Sequence, residues 1–185
     1  DALVEGGVRA LEVTMTVPGA IALITQLAPT LPDGFLLGAG TVVDRDTARR
    51  AINAGARFVV GPVFRPDVIA ACHELDVPAM PGCFSPTEIL TAWEAGADVV
   101  KVFPATALGP GYFKDIRGPL AHAKLMPTGG VTVENAGDWI RAGAVAVGAG
   151  TALLDTQAIA AGRYEVIAER ARRIVANVRA AREGQ

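Results

Sequence analysis

The chain has 185 residues, 51% of them hydrophobic and 19% charged, which is enough apolar surface for a full core in one domain spanning residues 1–185. A formal net charge of −2 gives no electrostatic basis for holding nucleic acid or an anionic membrane, and no apolar run approaches the roughly 18–20 residues of a membrane span. Two cysteines, Cys72 and Cys83, and two histidines, His73 and His122, fall in no metal-ligand spacing, so the composition reads as a cytoplasmic, reduced domain needing neither metal nor cofactor.

In chain order, "DALVEGG" (1–7) looks like the end of a helix, and the strand "ALEVT" follows it. "FLLGAGTV" (35–42) is a second strand. "DRDTARRAINAG" (44–55) is a helix with Asp44 as its N-cap, and it leads into "ARFVVGP" (56–62). "VPAMPGC" (77–83) is another short strand. "SPTEILTAWEAG" (85–96) carries Ser85 at the N-cap, Pro86 at the first helical position and Glu88 three residues after the cap, a capping-box pattern. Strands near 98–104, 124–128 and 144–149 follow, and an amphipathic, arginine-rich helix covers about 163–182, its charge suited to a solvated face.

One phrase recurs in "EGGVRALEVT", "NAGARFVVGP", "EAGADVVKVF" and "RAGAVAVGAG": a glycine fit to close a helix, then a short β-branched strand. Strand starts repeat roughly every 20–26 residues, the spacing of a strand plus a crossover helix. Strict βαβα alternation implies a parallel sheet, either closed as a (β/α)₈ TIM barrel or open and doubly wound. The regular period and the lack of a Gly-x-Gly-x-x-Gly turn after the first strand favour the barrel. Seven strands are legible, near 10–15, 35–41, 57–62, 78–82, 98–104, 124–128 and 144–149. The expectation is therefore an N-terminally incomplete barrel whose first strand lies upstream of residue 1.

Alternation along "DVVKVFP" puts Val100 and Val102 towards the helices, with Lys101 and Phe103 facing inward. In "ALEVTM", Leu11 and Val13 point outward, with Glu12 and Thr14 inward. Two opposite charges are thus expected inside an apolar vessel, at the strand ends where barrel enzymes build their sites. A purely structural ion pair is the bland alternative, but buried pairs stabilise no better than apolar residues of similar volume. A desolvated amine has a lowered pKa and a neutral fraction able to attack a carbonyl, and a nearby carboxylate can shuttle the protons. Lysine plus glutamate is the minimum equipment for Schiff-base carbon–carbon chemistry without a metal.

The glycine-rich ends "MPTGGV" and "GAGTAL" place small residues where backbone N–H groups crowd an anion. They make Thr128, Gly129, Gly130, Gly148, Gly150 and Thr151 candidates for phosphate, and "LLGAGTVV" presents Thr41 at a strand tip. Cys83 reads as packing, His73 as a surface or satisfied interior residue, and Trp93 and Trp139 as helix-packing residues.

Taken in order, "LEVTMT", "GAGTV", "PGCFSPTE", "VKVFPA", "MPTGGV" and "GAGTAL" resemble the 2-keto-3-deoxy-6-phosphogluconate (KDPG) and 4-hydroxy-2-oxoglutarate (KHG) aldolase family over nearly the whole chain. The resemblance implies a class I, metal-independent lyase on a (β/α)₈ barrel, commonly a homotrimer, that cleaves a sugar acid to pyruvate and an aldehyde. Carried over by position, Lys101 is the Schiff-base lysine and Glu12 the general acid–base residue. Thr41 contacts the pyruvate carboxylate, Pro62 forms pocket wall, and Phe103 and Thr128 line the same region. Gly129, Gly130, Gly148, Gly150 and Thr151 match the phosphate end. Two positions depart from the pattern: Thr16 stands where members carry a substrate-binding arginine, and Gly61 where serine is frequent. The rival readings are a phosphate-binding barrel epimerase or synthase using Lys101 only as a cation, and a non-catalytic sugar-phosphate binding module.

Overall fold

In the computed structural model, which describes residues 1–184, strands and helices alternate along most of the chain. The elements are α1 (Ala2–Glu5), β1 (Ala10–Thr14), α2 (Ala20–Leu27), β2 (Leu36–Gly40), α3 (Arg45–Asn53), β3 (Val59–Val60), α4 (Pro66–His73), β4 (Ala79–Met80) and β5 (Gly82–Cys83). They continue with α5 (Pro86–Glu94), β6 (Val100–Val102), α6 (Gly109–Arg117), β7 (Leu125–Pro127), α7 (Ala136–Arg141), α8 (Thr156–Ala160) and α9 (Tyr164–Glu183). The chain divides into two compact units. One is Arg9–Lys101; the other is Asp1–Val8 together with the chain from Val102 onward.

In the Arg9–Lys101 unit, β1, β2, β3 and β4 lie side by side in chain order, all parallel. Parallel neighbours need a crossover helix on each connection, which is why α2, α3 and α4 intervene. Val13, Leu37, Ala39, Val59, Val60 and Ala79 are all buried, so this sheet is apolar core rather than a half-wetted surface. The expected strand at 78–82 is split in two. Pro81 has no N–H to contribute, and its carbonyl instead accepts from the Lys101 amide at 2.9 Å, aligning the start of β6 beside β4 and β5.

Both predicted caps form. Asp44 accepts from Thr47 N–H at 2.8 Å to start α3, and Ser85 and Glu88 make a reciprocal capping box at the start of α5. Each cap contributes about 1 kcal/mol, enough to fix where a short helix begins. The repeated glycines also behave as the sequence phrase suggests: Gly7, Gly55, Gly96 and Gly143 all take positive φ, between 85° and 114°. An alanine in that backbone region is strained, which explains why glycine recurs at the helix-to-strand turn.

In the other unit, α9 packs against α1 and α7. Gly6 lies so close to Ala171 that a Cβ there would overlap it, and Trp139 meets Phe113 edge-on with ring centroids 5.1 Å apart. The arginines of α9 engage acids of the same unit: Arg172 pairs with Glu5 and Glu169, Arg173 with Glu134, and Arg170 with Asp155. One expected strand does not form. Residues 144–149 make only an isolated parallel bridge, Gly148 to Thr128, supported by Val145 N–H to Leu125 O and Gly148 N–H to Pro127 O. Alanine at 146 and the Gly-Ala-Gly run at 148–150 offer few side chains to hold an extended ladder, so the β-branched signal at Val145 and Val147 is not sustained. Among the described residues, no helix is long and apolar enough to cross a membrane.

Candidate active site

Lys101 is the only buried charged or polar side chain among the described residues, 6% exposed on a strand whose neighbours Val100 and Val102 are fully buried. Its backbone position follows from the apolar "VVKV" run: a β-branched strand must be buried, and the lysine goes with it. Burial pushes the Lys101 amine below its ordinary pKa, while the Glu12 carboxylate pulls it partly back up. Glu12 is the mirror image. Burial raises its carboxyl above the usual range, and the Lys101 cation opposes that rise. Each of the two groups is thus among the causes that move the other's pKa, within the Arg9–Lys101 unit.

Glu12 lies on β1, in register with Gly38 of β2. Its carboxylate reaches across β2 and occupies the space where a side chain at residue 40 would stand: Oε1, Cδ and Cγ of Glu12 are the three atoms nearest to a Cβ built on Gly40. Gly38, on the same face of β2, is covered in the same way by the Phe58 ring. Sequence reasoning passes over Gly40; the available signal is a Gly-x-Gly pair inside a strand, which marks close approach of another group.

Thr41 follows immediately, with φ of 59°. Left-handed backbone is costly for a β-branched residue, about 1–2 kcal/mol, so this threonine is held where its own preference would not put it. Thr16 lies beyond the end of β1, its hydroxyl 2.7 Å from that of Thr14. That contact ties the loop to the strand end and leaves a neutral hydroxyl pair there. Pro62 abuts β5, its carbonyl so close to Gly82 that no Cβ fits there. Gly61 likewise leaves only 3.1 Å between a built Cβ and the carbonyls of Val42 and Val63.

Cys83 is inert packing. It is buried, its thiol donates to Glu88 O at 3.4 Å, and burial pushes its pKa up to about 12. Cys72, pushed up to about 11, is equally unreactive. His73 pairs with Asp98 at 3.0 Å and is structural. The same carboxylate accepts from Ala79 N–H at 2.9 Å, so the pair tethers the start of β4.

The remaining sequence candidates lie in the other unit. Phe103 is 37% exposed, just beyond β6. Thr128 continues β7, its N–H donating to Val102 O at 3.0 Å and its carbonyl accepting from Ala105 N–H at 2.9 Å. Gly129 and Gly130 are consecutive residues of positive φ, 89° and 71°, closely approached by Thr106. The Asn135 amide donates to Gly130 O at 2.9 Å, closing the loop. Gly148 packs against the Thr128 hydroxyl side, and Gly150 O accepts from both Leu153 and Leu154 N–H before Thr151 leads towards α8. Successive glycines with turned backbones expose N–H groups of the kind that hold anions.

Comparison with known proteins gives the lineage. The KDPG and KHG aldolase family matches residues 1–170. A 2-dehydro-3-deoxy-phosphogluconate aldolase of Treponema pallidum is 38% identical over 167 residues, which is 90% of this chain and 79% of that protein. Among solved structures, a native KDPGal structure superposes with a TM-score of 0.90 at 31% identity, covering 98% of this chain and 87% of the other. A KDPG aldolase from Legionella pneumophila, with pyruvate captured as a covalent carbinolamine, superposes with a TM-score of 0.85 at 32% identity, covering 94% and 84%. The fold is accordingly α/β and TIM-barrel-like. On its sequence, its fold and the extent of the match, the chain belongs to the KDPG and KHG aldolase family.

Proposed function

We propose that this protein is a class I aldolase that reversibly cleaves a 2-keto-3-deoxy or 4-hydroxy-2-oxo acid, KDPG foremost, to pyruvate and an aldehyde through a Schiff base on Lys101. The observation that carries the reading is one buried amine and one carboxylate that act on each other, each with its pKa moved towards the neutral form.

Neutral Lys101 attacks the C2 ketone of the substrate. Glu12, in its acid form, protonates the carbinolamine oxygen, water leaves, and the iminium forms. Glu12, now ionised, takes the proton of the C4 hydroxyl as the C3–C4 bond breaks. The bonding electrons move into the iminium to give an enamine, and the aldehyde departs. Reprotonation at C3 and hydrolysis release pyruvate and restore the amine. Thr41 holds the carboxylate, with Pro62 as wall, and so selects which carbonyl meets the amine. Phe103 and Thr128 contact substrate, and Gly129, Gly130, Gly150 and Thr151 hold the phosphate of the aldehyde portion, while Gly148, expected among them, has its N–H committed to Pro127 O; the family resemblance supports these roles. With Thr16 neutral, the distal group is bound without a guanidinium there. Discrimination among aldehydes is correspondingly loose.

The assembly is a homotrimer, again on the strength of family resemblance, and the cellular site is the cytoplasm, consistent with two buried free thiols. Sedimentation at three times the chain mass tests the assembly.

The deciding experiment is borohydride reduction in the presence of pyruvate, followed by peptide mass analysis. The expected result is one reduced pyruvate on Lys101 and none in Lys101→Ala. Absence of an adduct in the wild-type protein, or sugar-phosphate binding without pyruvate release in a coupled lactate dehydrogenase assay, would overturn the reading.

A further inference from the structure

We infer that Gly40 is the positioning residue for Glu12. The missing side chain on β2 is the cradle in which the carboxylate lies. This deepens the aldolase reading and rests on it.

The argument is steric. Glu12 and Gly38 are register partners on β1 and β2, so a glutamate extending straight out of the sheet would stand beside residue 38. Instead its side chain leans one step towards the carboxyl end of β2, and Glu12 Oε1, Cδ and Cγ fill the place a Cβ at residue 40 would take. Gly40 is buried and its φ lies outside the left-handed region, so glycine is not needed there for the backbone. What glycine supplies is room. The neighbouring glycine on the same face, Gly38, gives its room to Phe58, which is 8% exposed. An aromatic ring and a carboxylate thus share one face of β2, consistent with burial raising the Glu12 pKa. Because packed interiors do not deform freely, any side chain at 40 must turn the carboxylate away. Lys101 lies on a different strand, β6, and the three atoms nearest a Cβ at residue 40 all belong to Glu12, so its ability to form the adduct should survive.

The test is Gly40→Ala, examined alone and with Glu12→Ala. In the single variant, borohydride should still trap pyruvate on Lys101. Exchange of the pyruvate methyl protons with solvent should fall about 10²–10⁴-fold, and the Glu12-dependent limb of its pH profile should disappear. Combined with Glu12→Ala, the alanine at 40 should slow exchange no further and should leave the urea midpoint of the Glu12→Ala protein unchanged, since the clash has been removed. If Gly40→Ala alone does not fold, restored folding in the double variant supports the inference and continued failure overturns it. Wild-type exchange rate and pH profile in Gly40→Ala, or an equal loss of stability in both backgrounds, would also overturn it. Wild-type protein that traps no pyruvate would sink the aldolase reading instead, and the stability comparison would still decide whether Gly40 makes room for Glu12.

Discussion

Lys101 and Glu12 are each held in surroundings that disfavour their charge, and each is the other's main relief. Burial lowers the lysine's pKa and raises the glutamate's, and the attraction between the two ions opposes both shifts. The proposed mechanism uses both shifts, and its consequences can be measured.

The first is kinetic. Glu12→Gln should lower turnover by about 10²–10⁴-fold, the usual worth of a positioned acid–base group, while a reduced pyruvate adduct still accumulates on Lys101. Single-turnover kinetics with mass detection of the adduct checks this. Near wild-type turnover would remove Glu12 from the mechanism.

The second concerns pH. Adduct formation requires the neutral amine, so its rate should rise with pH through a midpoint below the ordinary lysine value of 10.5. The Glu12 carboxylate raises the Lys101 pKa, so its removal lets the value fall further. The midpoint in Glu12→Gln should therefore move to lower pH. A midpoint that stays in place or climbs would show that the two groups do not sense each other.

A third prediction separates stability from function. Replacing both charges, as in Lys101→Met with Glu12→Gln, should leave an inactive protein that is as stable as the wild type or more so, by up to about 1–4 kcal/mol at neutral pH. Urea denaturation gives the comparison. A loss of several kcal/mol would mean that the pair is structural after all.

Thr41 offers a fourth. With φ at 59°, Thr41→Gly should relieve backbone strain and stabilise the fold by about 0.5–1 kcal/mol, after allowance for glycine's greater unfolded freedom. Losing the hydroxyl should at the same time weaken pyruvate loading about 10–100-fold, the worth of a hydrogen bond to a charged group. Titration of adduct formation against pyruvate reads the second effect, and unchanged loading would take Thr41 out of carboxylate binding.

The control is Ser85→Ala. It removes the hydroxyl half of the α5 capping box and should cost about 1 kcal/mol in urea denaturation with turnover unchanged.

The alternation of strand and helix, the caps at Asp44 and Ser85 and the turn glycines at 7, 55, 96 and 143 were all legible in the amino-acid order, because each depends on a few adjacent residues. So was the anomaly of a lysine in an apolar run, since the backbone must bury "VVKV" wherever the rest of the chain goes. Other features were settled only by packing across the sheet. The strand expected at 144–149 reduced to one bridge, because pairing needs a partner ladder and side chains to hold it. The strand at 78–82 broke at Pro81 for want of an N–H. The left-handed turn at Thr41 and the empty place at Gly40 that Glu12 fills arise from strands distant in sequence meeting in register, and no local pattern encodes which side chain will claim a neighbour's vacant space.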